Sequence, residues 1–237
     1  CEVNSKSFDT EQINELLRCQ RNEREQSAKP HKWQIYGLGE KSEIEGRIYH
    51  WNEISDEEYH KLHFETYYGV DWGMVDPFGV VQAKYHDGNL YVHELHYESE
   101  NAMRSKMTQT ELSQINGADE GLVPWLFRKI GIPTNKYIIC DNNRPQKILA
   151  LRRSGWEYAR AVGGKSKLLD RIGNLQALNI YFTKSSDNIR HEQENYRYKR
   201  DKFGVSLEEP EDDNNHTIDP IAYVVDFLLS EKIIKTL

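Results

Sequence analysis

Apolar and polar residues alternate in short runs through the middle of this chain and shift to helical spacing towards its end. Residues 67–72, 78–85 and 89–97 are rich in β-branched and aromatic side chains and predict three strands in succession. His86-Asp87-Gly88-Asn89 has the chemistry of a tight turn, and residues 73–77 make a short first connection. Together they predict an antiparallel meander. Helix and strand then alternate. Residues 105–116 and 120–130 predict helices, the second with Pro124 near its first turn. Residues 137–140 form a short, wholly apolar run of the kind buried on both faces of a parallel sheet. A helix is expected over 144–153, opened by Pro145 and closed by Ser154-Gly155. A strand over 156–162, an amphipathic helix over 165–178 and a strand over 179–183 follow. The pattern then gives a charged helix or arm over 187–200, an acidic loop over 205–215 and a last helix from Asp219 to about Leu229.

Ahead of the meander, residues 9–27 read as a polar helix capped by Asp9 or Thr10, and 33–54 as a hairpin or lead-in. We therefore divide the chain into a lead-in over 1–65 and a main domain over 66–237. A start at Cys1 fits a piece of a longer protein. Periodicity by itself supports a mixed α/β domain built on one sheet.

Composition narrows the function. At 237 residues, 38% hydrophobic and 29% charged, the chain can bury a full core. No apolar run approaches the roughly 20 residues needed to span a bilayer, and no secretory signal opens the sequence. Cys1, Cys19 and Cys140 are too few and too scattered for a disulfide framework or a zinc knuckle. The net charge of −7 is unevenly spread: residues 144–202 carry 14 Lys or Arg against 6 Asp or Glu. A basic face beside an acidic cluster suits a protein that holds phosphates with cations and metal with carboxylates; the alternative is a solvated helical face.

Three acidic stations carry the chemistry. Asp71 ends the run Tyr67-Tyr68-Gly69-Val70, Asp141 ends Tyr137-Ile138-Ile139-Cys140, and Asp219 opens the last helix after His216. An aspartate at the end of an apolar strand is costly to bury unless paired or bound to metal. Carboxylates converging from strand ends and a helix make an oxygen-rich site suited to Mg²⁺ or Mn²⁺ and to phosphoryl chemistry. Each also has a structural reading, as a turn or helix-capping residue. His216 and Asp219 stand three apart and share a face if a helix begins near His216. Asp212 and Asp213 are nearby candidates, Asp76 reads more simply as a turn residue before Pro77, and Glu94 fits either a solvent face or the site. Gly163-Gly164-Lys165-Ser166 lacks the first glycine of a full phosphate loop, since position 159 is alanine. A glycine turn into a helix start still presents N–H groups and Lys165 to a phosphate, here assigned to DNA.

In order, Tyr-Gly-Val-Asp-Trp-Gly at 68–73, Asp76-Pro77, Leu-Tyr-Val-His-Glu-Leu at 90–95, Ile-Cys-Asp-Asn at 139–142, Gly-Gly-Lys-Ser at 163–166 and Asn-His-Thr-Ile-Asp-Pro-Ile at 215–221 resemble the nuclease domain of a tailed-bacteriophage large terminase subunit. The resemblance spans about residues 67–229, and residues 34–49 resemble the segment joining that domain to the packaging ATPase. It implies a ribonuclease H-like α/β fold, a mixed sheet flanked by helices, acting in the host cytoplasm. It also implies an endonuclease cutting concatemeric double-stranded viral DNA through two Mg²⁺ or Mn²⁺ ions about 4 Å apart. The metal acids would be Asp71, Asp141 and Asp219, with His216 and Asp213 beside them. Lys165, Lys167, Arg152 and Arg153 would contact the DNA backbone. Partners would be an ATPase domain of the same polypeptide, the portal and the small terminase subunit, with no membrane. The third motif closes with Asp219-Pro220 where the family usually has Asp-Ala, a change that suits the first turn of a helix. The competing readings are another ribonuclease H-like phosphotransferase, such as a junction resolvase or transposase, and a catalytically silent docking module.

Overall fold

The computed structural model describes residues 47–115, 119–163, 167–200, 206–211 and 215–234. The expected helix over 9–27, the group at 33–36, Lys165, Asp212 and Asp213 lie outside them. Among the described residues seven strands form one mixed sheet, in the order β1-β7-β4-β3-β2-β5-β6. The meander occupies its middle: β2 (Thr66–Asp71), β3 (Gly79–His86) and β4 (Asn89–Tyr97) pair antiparallel. Asp87 and Gly88 take φ of 44° and 79° between β3 and β4, the left-handed pair that matches a tight hairpin to strand twist. Parallel strands flank the meander. β5 (Tyr137–Cys140) lies against β2 and β6 (Ala159–Ala161) beyond it, while β7 (Asn179–Thr183) lies against β4 and β1 (Asn52–Ile54) takes the far edge.

Strand alternation divides the core into two layers. Tyr67, Val81, Ala83, Leu90, Val92, Ile139, Ile180 and Phe182 face α6 (Leu168–Gln176), α7 (Asp187–Asn195) and α8 (Ile218–Ser230). Tyr68, Val70, Val80, Ile138 and Cys140 face α4 (Asp119–Lys129) and α5 (Pro145–Arg153). Helix α8 is apolar nearly all round, and it lies flat on β2 because two glycines leave room for its first turn. A Cβ on Gly69 would stand 2.1 Å from the Pro220 carbonyl oxygen, and one on Gly79 would stand 2.0 Å from that of His216. Any side chain at either position would lift the start of α8 off the sheet.

Several elements differ from the pattern-based expectation. The helix expected over 105–116 is two: α2 (Glu100–Lys106), capped by Ser99, and α3 (Gln109–Gln114), capped by Thr108. Thr108 and Glu111 form a reciprocal capping box that starts a new helix in place of a continuous one. A similar box between Ser55 and Glu58 starts α1 (Asp56–Lys61) within the expected lead-in. Pro124 stands in the second turn of α4, not its first. Only residues 159–161 of the strand expected over 156–162 pair, because Trp156 is buried and its indole donates to the Ile132 carbonyl, holding the turn before them. The acidic loop expected over 205–215 contains a strand, β9 (Ser206–Pro210), paired with β8 (Tyr198–Arg200) in a separate ribbon. Lys199 and Glu209 pair across it.

Candidate metal centre

Asp71 is the last residue of β2 and shares a face with Tyr67 and Gly69, the face that carries α8. Asp141 follows β5, two residues after Ile139 on the same face, and its backbone N–H still bonds the Val70 carbonyl at 2.9 Å. Parallel pairing of Val70 with Cys140 sets the two aspartates side by side at the carboxyl edge of the sheet, where open α/β sheets place their ligands. The Trp72 indole fixes that edge by donating to the Asp141 carbonyl at 2.9 Å.

The turn into α8 brings the third station over this edge. His216 Nδ1 stands 3.4 Å from Asp71 Oδ2, a long contact. Asp219, in the first turn of α8, accepts from Arg171 at Oδ1 (2.9 Å) and from the Tyr223 hydroxyl at Oδ2 (3.3 Å). Arg171, nearly buried on α6, also reaches Asp226 at 3.8 Å and lies over the Tyr223 ring.

These groups feel one another. Burial raises the Asp71 carboxyl to about 6, with Asp219 and Asp141 adding to the rise and His216 opposing it. The hydrogen bond to Asp71 raises the His216 imidazole. Burial raises the Tyr223 hydroxyl, and Asp219, Asp71 and Asp141 push it further. A buried carboxylate held at a cost beside two others is a donor set that suits a small, hard divalent cation. It is not a finished cage. Among the described residues no three His, Cys, Asp or Glu side chains are drawn tightly round one point. Arg171 and Tyr223 occupy the oxygens of Asp219, and a cation there would have to share them.

The other candidates fall in different places. Lys167 precedes α6 at the same sheet edge, exposed. Arg152 and Arg153 are exposed in the last turn of α5, the end remote from Asp141, where Arg152 donates to the Ala159 carbonyl at 2.6 Å. They are not brought together with the acids. Glu94 accepts from the backbone of Asn188 and Ile189 at the start of α7 instead of facing the site. Asp76 is exposed in the β2–β3 turn and contributes to the field at His216.

Sequence alone does not mark Arg171, Tyr223 and Trp72 as site residues. Charge counting places Arg171 among the surface cations, although Asp170-Arg171-Ile172 lies within an amphipathic helix. Tyr223 stands four residues after Asp219, one helical turn on, and that spacing is the available signal.

No curated protein matches the chain. Among solved structures, the manganese-bound nuclease domain of the bacteriophage SPP1 large terminase is 25% identical, with a TM-score of 0.55, over 73% of this chain and 91% of that one. The large terminase of a thermophilic bacteriophage shares the fold at 18% identity and a TM-score of 0.62, over 94% of this chain and 53% of its own length. Residues 76–226, well over half of the sequence, match the model of the terminase RNase H-like domain. The chain belongs to that family.

Proposed function

We propose that this chain is a divalent-metal-dependent endonuclease that cuts concatemeric double-stranded viral DNA during genome packaging. The observation that supports the reading is that Asp71 and Asp141 stand at the ends of neighbouring strands at one sheet edge, with the Asp71 carboxyl raised to about 6 by burial and further by Asp219 and Asp141. Manganese bound in the SPP1 nuclease domain supports a divalent ion as the cofactor in this reading. The residues that would hold Mg²⁺ or Mn²⁺, as two ions, are Asp71, Asp141 and Asp219, with His216 and Asp213 beside them. Bound ions would supply an activated water and stabilise the leaving 3′ oxygen.

The chain's own groups prepare the site. Asp71 must be ionised to serve, which favours reaction above about pH 6. His216 orients it and favours that ionisation. Arg171 and Tyr223 fix the rotamer of Asp219. Lys167, with Lys165, would hold DNA phosphates without reading sequence, and Arg152 and Arg153 would act only on a longer path of the duplex. The remaining partners in this reading are an ATPase domain joined ahead of a lead-in over 1–65, the portal and the small terminase subunit, all in the host cytoplasm.

The test incubates supercoiled plasmid with the protein and Mn²⁺, Mg²⁺ or EDTA, beside Asp141→Asn. Nicking and linearisation that require metal and vanish in the variant are expected. A folded parent protein that cuts with neither ion, or a variant that cuts as well as the parent, would overturn the reading.

A further inference from the structure

Glu192 is a glutamate in the middle of α7 with a side chain that is fully buried. Its carboxylate gathers the turn that carries the third station. Oε1 accepts from the His216 backbone N–H at 3.0 Å and from the Tyr97 hydroxyl at 2.9 Å. Oε2 accepts from the Thr217 N–H at 2.6 Å, the Thr217 hydroxyl at 2.5 Å and the Ile218 N–H at 3.2 Å. Thr217 stands at the N-cap of α8 but makes no side-chain cap of its own. The cap comes instead from 25 residues upstream on another helix. A carboxylate there satisfies N–H groups that a helix start leaves unpaired and complements its dipole.

Only an anion serves all of these partners. Each one is a donor, and an ionised carboxylate is acceptor-only. Glutamine at 192 would turn an NH₂ towards the Tyr97 hydroxyl and His216 N–H, or towards Thr217 and Ile218. Either way buried donors face each other.

Resting on the nuclease reading, we propose that Glu192 is a positioning residue for the reaction: it clamps the 216–218 turn so that His216 and Asp219 meet Asp71 and Asp141. It touches no substrate and acts through the backbone. The strand edge that carries Asp71 stays in place without it, but the helix that carries Asp219 loses its seat.

The test compares Glu192→Gln, nearly equal in volume, with the parent protein in three measurements. Hydrogen exchange at the amides of 216–218 should quicken by roughly tenfold or more while exchange in β2 and β5 is unchanged. Calorimetric Mn²⁺ affinity should fall several-fold. Plasmid cutting should lose about tenfold or more in kcat with KM for DNA within about threefold, because phosphate contacts lie elsewhere. Should Glu192→Gln fail to fold, Thr217→Val removes a single donor to the same carboxylate and should show the same pattern, smaller. Unchanged exchange at 216–218, or quickened exchange with unchanged Mn²⁺ affinity and unchanged kcat, would overturn the proposal. If the parent neither binds Mn²⁺ nor cuts, the nuclease reading fails while the exchange data still report on the clamp.

Discussion

Asp71→Asn separates what the acidic edge costs the fold from what it does. Burial and the neighbouring Asp219 and Asp141 raise the Asp71 carboxyl from 3.8 to about 6, net of help from His216. Its side chain is 14% exposed, so solvent screens it little. A folded-state value above the unfolded one means that the folded protein holds the proton more tightly. Stability therefore falls as pH rises from about 4 to about 6 and stays at the lower level above that window. At about 1.36 kcal/mol per pKa unit, the cost above pH 7 is roughly 3 kcal/mol. Asparagine keeps the shape without the charge. Near pH 8 and without divalent ions, Asp71→Asn is expected to be more stable than the parent by up to about 3 kcal/mol, or roughly 6–12 °C in Tm for a domain of this size. Near pH 3 the two should melt together. Adding Mn²⁺ near pH 8 should raise the Tm of the parent and leave that of the variant in place, and only the parent should nick plasmid. The assay is thermal melting by circular dichroism across pH, with EDTA or Mn²⁺. A variant less stable than the parent near pH 8, or an offset independent of pH, would refute the argument that this carboxylate is ionised against its own solvation.

Two further substitutions test the supports of the site. Gly69→Ala sets a methyl group against the Pro220 carbonyl at 2.1 Å, so it should cost about 1–3 kcal/mol in urea unfolding and lower cutting by shifting Asp219, whereas unaltered stability and cutting would show that α8 need not sit flush on β2. Glu100→Ala leaves Lys147 charged and unpaired at 2% exposure behind the Asp141 loop, and breaking such a pair should cost about 3–5 kcal/mol in the same assay; a loss below about 1 kcal/mol would mean that water reaches the lysine.

The parts of this protein legible in its sequence are those where local chemistry and long-range structure agree. Alternation, the Asp87-Gly88 turn and the apolar run ahead of Asp141 each name one element, and the tertiary structure adds nothing that contradicts them. Asp71 and Asp141 stand out in the same way, each following an apolar run that the structure pairs as a strand. Buried charges away from such runs are not visible. Glu100 and Lys147 pair across 47 residues, Arg171 and Asp219 across 48, and Glu192 reaches Thr217 across 25. Nothing local tells such residues from solvated ones. Glu192 leaves a faint trace: Ile189, Glu192, Gln193 and Tyr196 fall at i, i+3, i+4 and i+7, and all four are buried.

Local charge counting misleads for the same reason. The basic excess over residues 144–202 suggests a continuous cationic face, yet Lys147 and Arg171 turn inward to Glu100 and Asp219. Arg160 pairs with Glu231, Arg190 with Glu53 and Asp187, and Lys199 with Glu209. Those cations hold helices and strands to one another, and paired charges add little to a long-range field. On the proposed reading, the attraction for a polyanion that the sequence spreads over the whole stretch would then fall to fewer side chains, the exposed Lys167 at the start of α6 among them. A salt dependence of DNA binding steeper than a few phosphate contacts can explain would mean that these ion pairs open when DNA arrives.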